Sequence, residues 1–139
     1  MGVVLKYGGT SIATIEKINQ IAKHIAVLKE TEDNIVVVVS AMGKSTDELI
    51  KLAKQLSDNL PRREIDTLLS TGEQQTIALL AIALKGNGVD AISLTGFQAG
   101  FKTTNSHTKG IIMDVDITRV LSHLKQQKIV VVAGFQGIS

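Results

Sequence analysis

Several features on which whole classes of protein depend are missing from this chain. There is no cysteine among its 139 residues, which excludes disulfide bonds and thiolate-ligated zinc. No apolar run approaches the roughly 18 residues that a membrane span requires, and the N-terminus lacks a charged segment followed by an apolar stretch of signal-peptide length. We therefore predict no membrane association, and the cytoplasm is the default expectation.

Strong charge and aromatic side chains are also scarce. The formal net charge is +2, and aromatic residues make up 3% of the chain. Nucleic-acid surfaces need clustered positive charge and stacking rings, so we predict no nucleic-acid partner. What is present, 44% hydrophobic and 20% charged residues, is typical of a globular domain long enough to bury a sizeable core.

Apolar periodicity predicts strands that alternate with helices. The predicted strands are residues 3–6, 35–39, 91–94 and 129–132, and the predicted helices are residues 12–28, 45–56, 64–85 and 116–124. Residues 98–113 are rich in glycine and threonine, which predicts a hairpin or an irregular excursion. This alternation indicates parallel βαβ units with helices on both faces of the sheet, an α/β fold.

Polar residues at the predicted helix starts are candidate caps. Thr10 or Ser11 is predicted to cap the first helix, and Ser45 or Thr46 the second. Asp116 is predicted to cap the last, an interpretation that we prefer to metal ligation. No histidine–carboxylate spacing or Ser-His-Asp arrangement supports a metal site or a nucleophilic triad.

Ligands of open α/β sheets bind at the carboxyl ends of the strands. Each of the four predicted strands leaves through a segment that contains glycine. These segments are Lys6-Tyr7-Gly8-Gly9, Ser40-Ala41-Met42-Gly43, Thr95-Gly96-Phe97 and Gly134-Phe135-Gln136-Gly137. Glycine after a strand is common in any α/β fold, but four such exits together favour a backbone-lined pocket for an anion or a small acid.

The first exit has the layout of a phosphate site. Lys6 ends an apolar strand, Gly8 and Gly9 follow, and the hydroxyls of Thr10 and Ser11 precede a helix. Glycines leave backbone N–H groups uncovered, and a helix N-terminus attracts anions. An ordinary βα turn with an unremarkable lysine would explain the same residues.

Two other motifs give weaker signals. Gly43-Lys44-Ser45 is not a P-loop, because the required upstream glycine falls at Val38, inside the strand. Gly72 lies within a predicted helix, which suggests close packing or a ligand near the backbone. Its neighbour Glu73 precedes two glutamines, so a solvated carboxylate is the simplest interpretation of that residue.

Four strings of the chain, in order, resemble signatures of the aspartokinases, which are amino acid kinases. Lys6-Tyr7-Gly8-Gly9-Thr10-Ser11 resembles KFGGTS, with tyrosine in place of phenylalanine. The others are Val37–Gly43, Leu69–Glu73 and Gly134–Gly137. The resemblance covers essentially the whole chain and implies a three-layer αβα sandwich with a mainly parallel sheet. It also implies transfer of the ATP γ-phosphoryl group to the side-chain carboxylate of L-aspartate, the first step toward lysine, threonine and methionine.

The resemblance implies a set of site residues. The catalytic residue would be Lys6, which would neutralise charge on the transferring phosphoryl group. The residues implied for ATP are Lys6, Tyr7, Gly8, Gly9, Thr10 and Ser11, and those for aspartate are Ser40, Thr46, Glu73 and Phe135. Glu73 would pair with the substrate ammonium group, which reverses the solvated interpretation. MgATP would be a co-substrate, no tightly bound cofactor is expected, and no metal-ligating residue is predicted.

Aspartokinases continue beyond their GFQG segment with a glycine-rich RGGSD-type segment, a nucleotide-binding half and, usually, regulatory ACT domains. The resemblance therefore implies that residues 1–139 are the N-terminal, amino-acid-binding lobe, which we expect to be inactive alone. A homo-oligomer, or self-association through apolar surface that the other half would otherwise cover, is a further expectation. The alternative is a non-catalytic module that binds a small acid or pairs with a separate nucleotide-binding half.

Overall fold

The computed structural model describes residues 2–103 and 112–134. The helices are α1 (Ile15–Leu28), α2 (Ser45–Lys54), α3 (Arg62–Gly86) and α4 (Thr118–Lys125), and the strands are β1 (Gly2–Tyr7), β2 (Asn34–Val39), β3 (Ala91–Leu94), β4 (Phe101–Thr103), β5 (Ile112–Val115) and β6 (Ile129–Ala133). The four predicted strands and four predicted helices are all confirmed, with bounds that differ by a few residues. In the part of the chain that the structure describes, no helix is long and apolar enough to span a membrane.

Four parallel strands form the main sheet in the order β1-β2-β6-β3. Runs of β-branched residues in β2 and β6 suit strands covered on both faces, because such residues pack well on a pleated surface. β4 and β5 pair antiparallel in a separate two-stranded sheet, so the excursion after β3 contains paired strands.

Helices cover both faces of the main sheet, which gives the three-layer αβα architecture. On one face, α1 and α3 pack against alternate residues of the strands, including Ile35, Val37 and Val131. On the other face, Leu124 of α4 packs with Val130 and other intervening strand residues. Strand side chains alternate between faces. Both sets are buried in β6, whereas in β2 the set that faces α4 is half-buried.

The predicted caps of α1 and α2 are wrong. The cap of α1 is Thr14, whose Oγ1 accepts a hydrogen bond from the Lys17 backbone N–H at 3.2 Å. Thr10 and Ser11 lie in a turn before it, because Ile12 is buried in the core without being helical. α2 begins with Lys44 at its cap position and has no side-chain cap, so Ser45 and Thr46 lie within its first turn.

The other predicted helix boundaries agree better with the structure. Asp116 lies one residue before the cap position of α4, and its Oδ1 accepts a hydrogen bond from the Thr118 N–H at 3.0 Å. Pro61 stands at the start of α3, where its missing N–H costs nothing. α3 ends at Gly86, and Gly88 follows at a φ of +85°, a conformation that glycine adopts without strain.

Candidate active site

The carboxyl ends of the parallel strands lie together at one edge of the main sheet. Tyr7 at the end of β1 is level with Val39 of β2, which is level with Ala133 of β6. Gly134 continues this alignment, because its N–H donates to the Val39 carbonyl at 2.8 Å. The predicted strand exits are therefore neighbours in space, and this edge is the candidate site.

Lys6 and Tyr7 leave the sheet on opposite faces. The ring of Tyr7 packs against the core beneath α1 and α3, and burial raises the pKa of the Tyr7 phenol. Strand alternation directs Lys6 to the other face, where its side chain is exposed. The ammonium group of Lys6 is thus accessible to a ligand at the strand tip.

The loop after β1 is tied to the loop after β2. The Gly43 N–H donates to the Gly9 carbonyl at 2.9 Å, and the Ser11 N–H donates to the Gly8 carbonyl at 3.1 Å. A Cβ atom on Gly9 would lie 3.0 Å from the Ala41 carbonyl oxygen, whereas one on Gly8 would meet nothing within 4 Å. Gly9 is therefore required for packing, while the backbone at Gly8 is open.

Gly72 brings α3 against the loop after β2. A Cβ atom on Gly72 would lie 3.1 Å from the Ala41 Cβ and 3.9 Å from the Ser45 Cβ. A glycine within a helix costs about 1 kcal/mol relative to alanine, so the close approach offsets a real penalty. Of the two explanations that the sequence offers for Gly72, close packing and a ligand near the backbone, the structure shows the close packing.

Glu73 is buried, with 5% of its surface exposed. Its solvated interpretation is wrong, although the neighbouring Gln74 and Gln75 are indeed exposed. The physical reason is that Glu73 belongs to the buried stripe of α3, which continues through Ile77 and Leu80. Thr76, which is fully buried, donates from its Oγ1 to the Gly72 carbonyl at 3.1 Å. Burial of a carboxylate is costly unless other groups compensate it, which marks Glu73 as a functional candidate.

The remaining predicted site residues are placed as follows. Ser40 is half-buried directly after β2, and Thr46 is exposed in the first turn of α2. The Lys6 side chain lies on one face of the main sheet. The helix α3, which carries Glu73, packs on the opposite face. Phe135 lies outside the described residues. No group of three or more metal-ligating side chains occurs among residues 2–103 and 112–134.

Sequence reasoning missed an open concavity beside the β1 loop. Its volume is about 660 Å³, and the lining residues are Tyr7, Thr10, Ser11, Lys17, Gln20, Ile21 and His24. The Lys17 Nζ donates to the Thr10 carbonyl at 3.0 Å, which braces the loop against α1. The signal in the sequence was weak, since Lys17, Gln20 and His24 look like an ordinary solvated helix face.

The αβα layers and the glycine-built sheet edge define the class of protein. The chain belongs to the amino acid kinase family, whose family model matches residues 1–139. It is similar to the aspartokinase of Geobacillus stearothermophilus, with 50% identity over 140 residues that cover 100% of this chain and 34% of that protein. It is similar in the same way to aspartokinase 2 of Bacillus subtilis (strain 168), with 50% identity over 137 residues that cover 99% of this chain and 34% of that protein. The chain thus spans about a third of the length of these relatives.

Solved structures agree with this assignment. The aspartate kinase of Synechocystis matches with a TM-score of 0.81 and 50% identity, over 98% of this chain and 22% of that one. E. coli aspartokinase III, crystallised with aspartate and ADP in its R-state, matches with a TM-score of 0.78 at 19% identity, over 99% of this chain and 41% of that one. The second likeness concerns the fold alone. The predicted resemblance to aspartokinases is confirmed.

Proposed function

We propose that this chain is the amino-acid-binding lobe of an aspartate kinase, which transfers the γ-phosphoryl group of MgATP to the side-chain carboxylate of L-aspartate and forms 4-phospho-L-aspartate. The observation that carries the proposal is the junction at the sheet edge. There the glycine loop after Lys6 is hydrogen-bonded to the loop after β2, and that loop packs against the buried Glu73 segment of α3. The 50% identity to aspartokinases supports it.

In the phosphate part of the proposed site, binding would depend on backbone groups and on positive charge. Phosphoryl transfer depends mainly on positioning and electrostatic stabilisation, so a nucleophilic side chain is not required. The exposed Lys6 ammonium would neutralise charge on the transferring group, and the segment from Tyr7 to Ser11 would contact the phosphates. Magnesium would enter with the nucleotide, because Mg²⁺ is bound largely through substrate phosphates.

The amino-acid side of the site relies on a buried charge. The Glu73 carboxylate would pair with the substrate ammonium group, and the hydroxyls of Ser40 and Thr46 would hold the substrate carboxylates. Charge-assisted hydrogen bonds are about twice as strong as neutral ones, and the low dielectric around a buried group strengthens them further. Phe135 stays a prediction for the pocket wall.

The test is a chimera in which this chain replaces the matching third of Bacillus subtilis aspartokinase 2. We expect ATP-dependent formation of an acyl phosphate from L-aspartate, trapped as the hydroxamate, and a fall of about 10²–10³-fold in kcat for Lys6→Ala. Lys44→Ala, another exposed lysine near the sheet edge, is the matched control. A folded chimera without activity would contradict the proposal. L-Aspartate binding without turnover would favour the non-catalytic module instead.

We also propose that the 139-residue chain self-associates. Among the described strands β1 lies at an edge of the main sheet, and its Val4 is 72% exposed. Unpaired edges with apolar side chains invite pairing with another chain. Sedimentation velocity should detect dimers that Val4→Lys abolishes and that Val27→Lys leaves intact, since Val27 is also exposed but lies on α1. A monomer at every concentration would refute this.

A further inference from the structure

Ala41, in the loop after β2, is enclosed by two glycines from different parts of the chain. On one side, a Cβ atom on Gly9 would lie 3.0 Å from the Ala41 carbonyl oxygen. On the other side, a Cβ atom on Gly72 would lie 3.1 Å from the Ala41 Cβ. Both distances are shorter than the ordinary van der Waals contacts of a Cβ atom, so the loop has room because both flanking residues lack a side chain.

The two glycines belong to the two halves of the proposed site. Gly9 lies in the phosphate loop after Lys6, and its carbonyl accepts the Gly43 N–H at 2.9 Å. Gly72 immediately precedes the buried Glu73 and also lies against the start of α2, with the Leu49 Cδ1 3.7 Å from its Cβ position. Ala41 therefore lies against both α3 and the phosphate loop.

Gly86 in the same helix provides a contrast. A Cβ atom on Gly86 would meet nothing within 4 Å, so its place at the helix end reflects termination of α3. Gly72 lies in the helix interior, where glycine is unfavourable, and it is not in the left-handed region that would require glycine. Position 72 requires glycine because of the tight contact with Ala41.

We propose that Gly72 is a positioning residue whose missing side chain sets the distance between Glu73 and the phosphate loop through Ala41. The proposal rests on the proposed function for the roles of the two ends. A Cβ atom at position 72 would push the loop after β2 by a few tenths of an ångström. Sites of this kind must be held within about 0.5 Å of the productive geometry, so a displacement of a few tenths of an ångström uses up much of that margin and is expected to weaken binding moderately.

The test is to move a methyl group from one side of the contact to the other. Gly72→Ala adds a methyl group, and Ala41→Gly/Gly72→Ala removes the methyl group that it would meet. Gly86→Ala is the matched control in the same helix. Amide chemical shifts of the 139-residue chain report the geometry without any ligand, and calorimetry with L-aspartate reports the site.

We expect Gly72→Ala to shift the amide resonances of residues 40–46 and also of residues 8–11, and to weaken L-aspartate binding about three- to tenfold. The swap variant should return both sets of resonances and the affinity toward the parent values, and Gly86→Ala should change neither. If Gly72→Ala fails to fold, a folded swap variant with parent-like resonances supports the same conclusion.

Two results would overturn the inference. The first is a folded Gly72→Ala with unchanged resonances at residues 8–11, which would mean that Ala41 transmits nothing. The second is a swap variant that is unfolded or no closer to the parent than the single variant. If the parent chain does not bind L-aspartate, the proposed function loses support, but the resonances still decide whether Gly72 sets the geometry.

Discussion

The two halves of α3 have different surroundings. Every fully buried residue of the helix lies from Gly72 onward, where α3 packs against the sheet and α1. Residues 62–71 include none, and neither does α2, which lies against α3. Regions with few buried apolar contacts open more easily than cores. The proposed aspartate site therefore lies at the boundary between a firmly packed half and a loosely packed one, with Glu73 on the firm side.

The largest expected effect on this comparison comes from alanine substitutions at two leucines of α3. Leu80 is fully buried and Leu68 is half-buried. Leu80→Ala should lower the free energy of unfolding by about 2–5 kcal/mol, the usual cost of a buried leucine, and Leu68→Ala by less than half as much. Urea unfolding of the 139-residue chain measures both. Equal losses would show that the two halves are equally packed.

The next effect concerns the charge at the boundary. Glu73→Gln keeps the shape of the side chain but removes the carboxylate, so L-aspartate binding should weaken about 10–100-fold, the value of a hydrogen bond to a charged group. Glu64→Gln is the control, since Glu64 is exposed in the first turn of the same helix. Calorimetry with L-aspartate compares them. Equal affinities would remove Glu73 from the site.

The sequence predicts most of the fold that surrounds the boundary between the two halves of α3. The main strands and helices, the shared sheet edge and the close packing of Gly72 all follow from periodicity, strand polarity and the cost of a helical glycine. The burial of Glu73 is not predicted from its neighbours, because it depends on which side of α3 packs into the fold. Local composition around Glu73 is polar, so the resemblance to aspartokinases carried information that the residues did not.

The predicted caps of α1 are wrong for a similar reason, namely that the true cap depends on tertiary packing. Thr10, Ser11 and Thr14 are all adequate capping residues, and the apolar stripe begins at Ile12. Ile12 is buried in the core in a non-helical conformation. The helix α1 therefore begins later, at Ile15, with Thr14 as its cap. Choosing among neighbouring hydroxyls requires knowledge of how the preceding turn packs, and that turn is held to the loop after β2 by the hydrogen bond from the Gly43 N–H to the Gly9 carbonyl.

A smaller effect should appear in amide exchange along α3. Amides of residues 76–84 are held by the core, so they should exchange only when the whole chain unfolds. Amides of residues 65–71 should exchange at least about tenfold faster through local opening. Hydrogen exchange followed by NMR makes the comparison within one sample. Uniform protection along the helix would mean that α2 supports the first half as firmly as the sheet supports the second.

The smallest effect belongs to a short ion pair of α3 that lies in its loosely packed half. The Arg63 guanidinium and the Glu64 carboxylate are 2.7 Å apart, but their side chains are 72% and 61% exposed. Exposed pairs of this kind contribute about 0–1 kcal/mol, because water screens the charges and both side chains lose freedom. Arg63→Ala should therefore change the free energy of unfolding by less than about 0.5 kcal/mol. A larger loss in urea unfolding would mean that residues 62–71 are held by electrostatics, which would replace the packing difference as the account of the two halves.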